Sequence, residues 1–358
     1  MAKTLKQLAQ EAGVSIATVS KVVNGRDEHI SEATRKRIRE LVENSGYRPN
    51  AIAKGLKEKK TNTIGFVLPD ISNPFFPEIA RGIEDEAKKY GFAVVFCNTD
   101  NDVVREESCI SFLRSKMVDG LIFTQTTRES VFSKELIGNI PVVVVDRGID
   151  TNSKNIGKIY VNCMGAIYDA TCRLIKQGCE KIAFISANLG KERDYRYEGY
   201  EKALKQYKRT VDPAMIFKND YNEETGYQGI QKICRICRID GLVCGNDLIA
   251  TGAIQALSEG GWKIPEDIKI VGLDDVMFAK YLSPPLTTIA QPAYEMGKEA
   301  AKMLIRHITN GEPLYSKELP YEMRVRSSGS RFTFGSNDPY LIFNSVSNFF
   351  SMFLPSCL

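Results

Sequence analysis

Histidine is almost absent from this chain, which contains only His29 and His307 among its 358 residues. Two isolated histidines give no basis for acid–base catalysis. The sequence also lacks a phosphate-binding P-loop and a Gly-x-Gly-x-x-Gly dinucleotide turn. We therefore predict that the protein is not an enzyme, and we expect no catalytic residue, metal or cofactor.

Long apolar runs are missing as well. No run reaches the eighteen residues that a membrane span needs, and Met1 to Gln10 lacks the apolar core of a signal peptide. We therefore expect a cytoplasmic protein without a membrane partner.

Cysteine occurs nine times, an odd number, and its positions are scattered. Cys234 and Cys237 form a solitary pair that has no further metal ligands nearby in the sequence. Reduced, buried thiols fit this pattern better than disulfides or zinc ligands.

The excess of positive over negative charge is confined to the start of the chain. Residues 1–60 contain thirteen Lys or Arg and seven Asp or Glu, whereas the rest holds 35 basic and 37 acidic groups. A polyanion such as DNA would be drawn to the basic end, because neutralised phosphates release counterions. The other interpretation is a helical bundle whose positive charges are only solvated.

The first 48 residues have the pattern of three short helices. Thr4 can cap the first helix together with the glutamine three residues later. Gly13-Val14-Ser15 supplies a turn, and a second helix is predicted over 16–24. A third helix is predicted over 31–44, with Gly46 as its stop signal. A helix, a short glycine turn and a second helix form a common DNA-binding arrangement.

The second helix points several side chains outward that could contact DNA. We predict base contacts from Ile16, Ala17 and Lys21, since a recognition helix reads base edges in the major groove. Phosphate contacts are expected from Thr18, Ser20 and Asn24, and further DNA contacts from Thr4 and Ser15. Ile16 could instead be an apolar residue that is partly exposed and has no partner.

The head resembles the lactose-repressor family in the segments Leu5-Lys6-Gln7-Leu8-Ala9, Gly13-Val14-Ser15, Ala17-Thr18-Val19-Ser20, Val22-Val23-Asn24-Gly25 and Gly46-Tyr47-Arg48-Pro49-Asn50. Later segments are similar to the regulatory body of the same family, so the resemblance spans roughly residues 3 to 329. It implies a transcriptional repressor, associated with the nucleoid, that binds a nearly palindromic double-stranded DNA operator as a homodimer. It also implies that residues 49–61 are a hinge that folds on DNA, with Asn50 and Ala53 at the DNA and Leu56 inserted into the minor groove. An ordinary polar linker is the alternative.

From Thr63 onward, short apolar runs alternate with amphipathic helices. Strands are predicted over 63–68, 93–98, 120–123, 142–146, 181–186, 241–245 and 268–273. Such apolar strands are typical of parallel sheets. The predicted fold is an all-α helix-turn-helix domain followed by an α/β body of two doubly wound parallel-sheet lobes, similar to periplasmic binding proteins. The resemblance implies a body over 62–329 with lobe crossovers near 161, 290 and 322, and pairing helices around 77–90 and 102–116.

Polar groups follow several predicted strands, at the edge where parallel sheets bind ligands. Asp, Asn, Arg and Phe side chains suit a polar molecule of the size of a sugar. The resemblance implies effector contacts from Arg196, Asn246 and Asp274, and then from Asp146, Arg147, Ser72, Asn73 and Phe75. Each also has a structural interpretation: Asp274 could cap a helix, Arg147 could pair with a carboxylate, and a Phe could lie in the core.

Two other classes of protein, and two kinds of regulator within the family, remain as alternatives. A free sugar-binding protein or a sugar-metabolising enzyme could share the body, but neither needs a basic head. Within the family, the chain could be a sugar-responsive repressor or a catabolite-control regulator that acts with a serine-phosphorylated phosphocarrier protein. Residues 330–358 depart from the family pattern, since they are rich in phenylalanine without a leucine heptad, and we interpret them as a nonessential tail.

Overall fold

The chain divides into two units, Met1–Thr61 and Asn62–Leu358. The computed structural model describes residues 3–47, 60–126, 134–147, 156–190 and 193–330. The predicted hinge positions Asn50, Ala53 and Leu56 and the tail from residue 331 lie outside these ranges.

Three helices make up the described part of the first unit: α1 (Leu5–Glu11), α2 (Ile16–Val23) and α3 (Glu32–Ser45). Each begins at a capping side chain. Thr4 forms a reciprocal cap with Gln7, and the Ser15 hydroxyl accepts from the Thr18 amide at 3.1 Å. At the end of α3, Gly46 adopts the left-handed conformation at φ 63°, which ends the helix. The three predicted helices are confirmed, and buried Leu8, Val19 and Ile38 form their common core.

The second unit contains twelve described strands. They are β1 (Thr63–Leu68), β2 (Ala93–Asn98), β3 (Gly120–Phe123), β4 (Val142–Val145), β5 (Ile156–Val161), β6 (Ile182–Ala187), β7 (Ile216–Asn219), β8 (Gly241–Cys244), β9 (Lys269–Asp274), β10 (Thr287–Ala290), β11 (Ser316–Leu319) and β12 (Glu322–Arg324). One six-stranded sheet has the order β11-β5-β4-β3-β1-β2 and the other β12-β10-β9-β8-β6-β7. All pairs are parallel except β10 with β12. The two predicted parallel lobes are confirmed, and all seven predicted strands are found within one residue at each end.

The chain passes between the sheets along three connections. It leaves the first sheet after β5 and enters the second at β6, returns after β10, and passes directly from β11 to β12. The helices of this unit are α4 (Phe75–Lys89), α5 (Val103–Ser115), α6 (Lys134–Ile137), α7 (Cys163–Lys176), α8 (Tyr195–Gln206), α9 (Glu223–Ile236), α10 (Asp247–Glu259) and α11 (Ala293–Asn310). Short 3₁₀ turns occupy Pro213–Met215, Ala279–Tyr281 and Ser327–Gly329. None of the helices in the described ranges has the length and apolar character needed to span a bilayer.

Glycine lets neighbouring helices touch backbone to backbone. A β carbon on Gly252 of α10 would lie 1.8 Å from the carbonyl oxygen of Glu223 at the start of α9. On Gly82 of α4 it would lie 2.1 Å from the carbonyl oxygen of Tyr294 in α11. Contacts this close leave no room for a side chain, so each lobe has a tightly packed helix pair beside its sheet.

Candidate functional site

Helix α2 separates its buried and exposed residues as the sequence predicts. Val19 and Val22 are buried, whereas the Ile16 side chain is 49% exposed and Ala17 and Lys21 are exposed. An apolar residue that is half exposed beside a free lysine suits the major groove, where thymine methyls and guanine acceptors are available. The geometry of this face is therefore compatible with base contact.

The polar residues of the head already have intramolecular bonds. Thr4 and Ser15 are helix caps, and the Thr18 hydroxyl lies 2.8 Å from that of Ser15. Asn24 donates to the Ser20 carbonyl at 2.7 Å and lies 3.3 Å from its hydroxyl. Their hydroxyls retain further capacity to donate or accept, so these contacts orient the side chains without excluding phosphate binding.

In the second unit, Arg147 joins groups from both lobes. It follows β4 of the first sheet, and its Nε donates to the Gln125 carbonyl at 3.1 Å. A terminal nitrogen lies 3.5 Å from the Asn101 side-chain oxygen. The guanidinium carbon is 5.7 Å from the ring centre of Phe76 and 4.9 Å from that of Tyr221, which follows β7 of the second sheet. Arg147 therefore bridges the two lobes through a cation–π contact.

Arg196 reaches the same tyrosine from the second lobe. It lies in the first turn of α8, is 7% exposed, and donates to the Gly245 carbonyl at 2.8 Å. Its guanidinium carbon is 4.5 Å from the ring centre of Tyr221. One buried aromatic ring is thus contacted by two arginines, one from each lobe.

Two buried carboxylates accompany the arginines. Asp146 is 8% exposed, and within the described residues its carboxylate has no hydrogen-bond or ion-pair partner. Asp274 is 6% exposed and accepts from the Gln291 amide at 2.8 Å. Burial raises the pKa of Asp274 to about 7, with Asp146 adding to the rise, whereas Arg196, the Gln291 bond and Arg147 act against it.

Both carboxylate residues adopt unusual backbone conformations. Asp146 has φ 67° and Asp274 has φ 124°, in the region that side-chain-bearing residues rarely occupy. Such conformations cost about 1–3 kcal/mol and cluster at ligand sites, where the surrounding structure enforces them. Carboxylate acceptors, guanidinium donors and an aromatic face are together chemically suited to a small polar ligand with several hydroxyl groups.

The other predicted contact residues take part in core packing or in local hydrogen bonds. Phe75 is 3% exposed and packs edge-on against Phe76 at 5.4 Å, so it belongs to the core, and Phe76 is the ring that touches Arg147. Asn246 caps α10 by accepting from the Ile249 amide at 2.9 Å. Asn73 accepts from the Phe75 amide at 3.1 Å, and the exposed Ser72 donates to Asp70 at 2.7 Å.

Three residues at the site were not found from the sequence. Tyr221 and Gln291 follow strands that were not predicted. Cys163 begins α7, and burial raises the pKa of its thiol to about 11, whereas the charge of Arg196 acts against the rise. A search of every strand end for polar or aromatic residues would have found Tyr221 and Gln291 once β7 and β10 were recognised.

Comparison with known proteins identifies the family. The sequence pattern of bacterial regulatory proteins of the lacI family matches residues 4–50, and that of the periplasmic binding protein-like domain matches residues 171–329. The regulator RegA of Clostridium saccharobutylicum is 38% identical over 319 residues, covering 87% of this chain and 94% of that protein. The chain belongs to the lacI family.

Other relatives and solved structures agree with this assignment. Catabolite control protein A of Priestia megaterium is 34% identical to this lacI-family chain, covering 91% of it and 98% of the relative. A complex of the regulator CelR with cellobiose has a TM-score of 0.69 at 27% identity and covers 91% of this chain and all of that one. A lacI-family regulator from Enterococcus faecium with bound ribose has a TM-score of 0.68 at 30% identity, with coverage of 76% and 100%. The chain is a DNA-binding transcriptional regulator with an effector-binding domain, and not an enzyme.

Proposed function

We propose that this regulator is a repressor whose affinity for its operator is set by a sugar or related metabolite bound between the two lobes. The carrying observation is the convergence of Arg147 and Arg196, one from each lobe, on the ring of Tyr221. Asp146 and Asp274 add buried acceptors for ligand hydroxyls. A ligand that bonds to groups of both lobes favours one lobe arrangement, and this preference is what couples its binding to the DNA-binding head.

The neighbours support the class of effector. The CelR structure contains cellobiose and the Enterococcus faecium structure contains ribose. Both sugars are neutral and offer many hydroxyl donors and acceptors. The buried Asp146 carboxylate, which has no partner among the residues that the structure describes, suits such a ligand better than an anion, which it would repel.

For the DNA-binding side, we infer a homodimer on a nearly palindromic operator, with one α2 helix in each half-site. The domain boundaries we propose are 1–48 for the head, 49–61 for the hinge, 62–329 for the body and 330–358 for the tail. On α5 the side chains of Val104 and Phe112 are 71% and 46% exposed, which supports a pairing surface there. Asn50, Ala53 and Leu56 remain proposed hinge contacts.

Lys21 tests the reading of bases. Operator sequences are selected from a random DNA library with the parent protein and with Lys21→Ala. The variant should lose base preference at one position of the half-site, because a base contact carries about 1–3 kcal/mol of discrimination between bases. Lys36→Ala, an exposed lysine on α3, is the matched control and should weaken binding equally for all sequences or not at all. Equal preferences for the Lys21 variant and the parent protein would remove the base-reading role.

Asp146 tests the effector site. Thermal shift measurements with cellobiose, ribose, hexoses, sugar phosphates and purines should find a stabilising ligand. Asp146→Asn should weaken that ligand at least tenfold while leaving the unliganded protein folded, since the carboxylate has no intramolecular partner among the described residues. Glu84→Gln changes an exposed carboxylate and should have no effect. Equal affinity for the parent and the Asp146 variant would place the ligand elsewhere.

A second candidate function is catabolite control through a serine-phosphorylated phosphocarrier protein. The similarity to catabolite control protein A at 34% identity favours it. Thermal shift measurements separate the two candidate functions, because a sugar that stabilises the protein supports control by a small molecule. No stabilising small molecule, together with operator binding that depends on the phosphorylated carrier, would support the second.

A further inference from the structure

Two cysteines meet at the outer edge of the first lobe. Cys97 lies on the edge strand β2, Cys109 lies on α5, and both side chains pack against the same core cluster. The Sγ atom of Cys109 is also 3.9 Å from the carbonyl oxygen of Asn98, the residue after Cys97. Both thiols are free and only partly buried, so small reagents can reach them.

The packing of β2 holds this pair in place. Alternate strand residues point to opposite sides of a sheet, and Val95 and Cys97 face the core cluster that contains Leu113 of α5. Phe96 faces the other side, where its ring lies 6.2 Å from that of Phe66. Since Leu113 is fully buried, α5 cannot shift along the strand without opening the core, and the two sulfur atoms stay together.

The residues between the two cysteines include a turn that supports the effector site. Asp100 and Asn101 both have left-handed backbones, at φ 50° and 55°. The side-chain oxygen of Asn101 lies 3.5 Å from a guanidinium nitrogen of Arg147. The side-chain oxygen of Asn98 accepts from the Ile71 amide at 2.9 Å. A covalent link between Cys97 and Cys109 would close a ring around this turn and limit its motion.

We propose that Cys97 and Cys109 are a reversible disulfide site that fixes the 98–102 turn and thereby restricts Arg147 at the interlobe site. The effect on the effector rests on the function proposed above, whereas formation of the link does not. A disulfide restricts the conformations of the segment that it closes, here the residues between Cys97 and Cys109. The 98–102 turn is then held in the conformation that contacts Arg147.

The reaction is thiol–disulfide exchange with a small disulfide such as oxidised glutathione. Burial raises the pKa of both thiols, that of Cys97 to about 12, while Arg105 acts against the rise at Cys109. In the first step Cys109 loses its proton to solvent, and its sulfur attacks one glutathione sulfur and expels the other as a thiolate. Cys97 then loses its proton and attacks Cys109 in the mixed disulfide, which releases the second glutathione. Two protein thiols are oxidised and one glutathione disulfide is reduced to two thiols.

Disulfide mapping of the full chain tests the link. After incubation with oxidised glutathione and alkylation of the remaining thiols, peptide mass spectrometry should find Cys97 joined to Cys109, and dithiothreitol should reverse it. Cys97→Ser and Cys109→Ser should each abolish the link and leave glutathione on the remaining thiol. Cys234→Ser, a change in the other close pair, should leave the 97–109 link unchanged. The proposal is overturned if Cys97 and Cys109 stay unlinked while other partly exposed cysteines react, or link only in urea.

Hydrogen exchange tests the effect on the turn. In the oxidised parent protein, amide exchange over residues 98–102 should slow at least tenfold relative to the reduced form, and Cys97→Ser should show no such change. Equal exchange in both forms would refute the restriction of the turn. The protein could form the link and show slower amide exchange, yet bind neither cellobiose, ribose nor any other tested effector. That result would refute the proposed effector and still support the disulfide site.

Discussion

Asp274 gives the sharpest test of the electrostatics at the interlobe site. Its carboxyl group is almost completely buried at the end of β9, and burial raises its pKa from 3.8 to about 7. Asp146 adds to the rise, whereas Arg196, the Gln291 hydrogen bond and Arg147 oppose it. The folded chain therefore holds a proton at Asp274 over a range in which the unfolded chain has already lost it.

The size and sign of the effect follow from this difference. Below about pH 4 both states are protonated and Asp274 has no effect on the pH dependence. Between about pH 4 and the folded pKa of about 7 the favourable contribution of the retained proton is lost progressively, and above that pKa no further loss occurs. The shift of roughly three units corresponds to about 4 kcal/mol at about 1.36 kcal/mol per unit. Asp274→Asn cannot ionise, and its oxygen can still accept from Gln291, so the variant should escape the loss.

Urea unfolding between pH 4.5 and 8.5 measures the prediction. Trp262, the only tryptophan in the chain, lies in the second lobe and reports on the unfolding of the body. Relative to the parent, the free energy of unfolding of Asp274→Asn should rise by about 3 kcal/mol between pH 4.5 and 8.5, since about 2.5 pH units lie between pH 4.5 and the folded pKa of about 7. Glu84→Gln should track the parent at every pH. A difference between Asp274→Asn and the parent that stays constant across this range would refute the raised pKa.

Two further substitutions test the packing and the caps. Gly252→Ala should lower the free energy of unfolding by about 2 kcal/mol or more, because its β carbon would lie 1.8 Å from the Glu223 carbonyl oxygen and must push α9 and α10 apart. Urea unfolding followed by Trp262 fluorescence measures this loss. An unchanged unfolding midpoint would contradict the close contact between the two helices. Ser15→Ala should destabilise α2 by about 1 kcal/mol, since the cap on the Thr18 amide is lost. Faster amide exchange in α2 would report this loss, and Ser15→Asp, which can still cap, should restore the parent rate.

Six of the seven predicted strands lie inside their sheets and the seventh, β2, is an edge strand, whereas the sequence misses the edge strands β7, β11 and β12 and the interior strands β5 and β10. The seven predicted strands are short runs of Val, Ile, Leu, Phe and Ala. By contrast, β11 reads Ser-Lys-Glu-Leu and β12 reads Glu-Met-Arg, because an edge strand is covered on fewer sides and needs few apolar residues. Strand β10 was missed for another reason, since its buried Thr287 and Thr288 hydroxyls bond to the Arg326 carbonyl and to Asp247. Partners distant in sequence satisfy these hydroxyls, and a local pattern cannot reveal them.

The site was predictable to the extent that strand topology determines it. Asp146, Arg147 and Asp274 follow central strands of parallel sheets, so their position at the carboxyl edge follows from the sequence pattern. Tyr221 follows the half-buried edge strand β7, and only the folding of both lobes brings its ring against Arg147 and Arg196. Phe76, and not the adjacent Phe75, contacts Arg147. The position at which α4 begins decides this, and the local sequence does not reveal it.

The two strained carboxylates occupy equivalent places in the two lobes. Strand β4 is third from the β11 edge of its sheet, strand β9 is third from the β12 edge of the other, and Asp146 and Asp274 stand where these strands end. Each has a positive φ, at 67° for Asp146 and 124° for Asp274. Two like charges that face each other across the lobes repel, which is one reason why Asp274 keeps its proton. A ligand whose hydroxyl groups donate to both carboxylates replaces this repulsion by two bonds, and the lobes then gain from approaching each other.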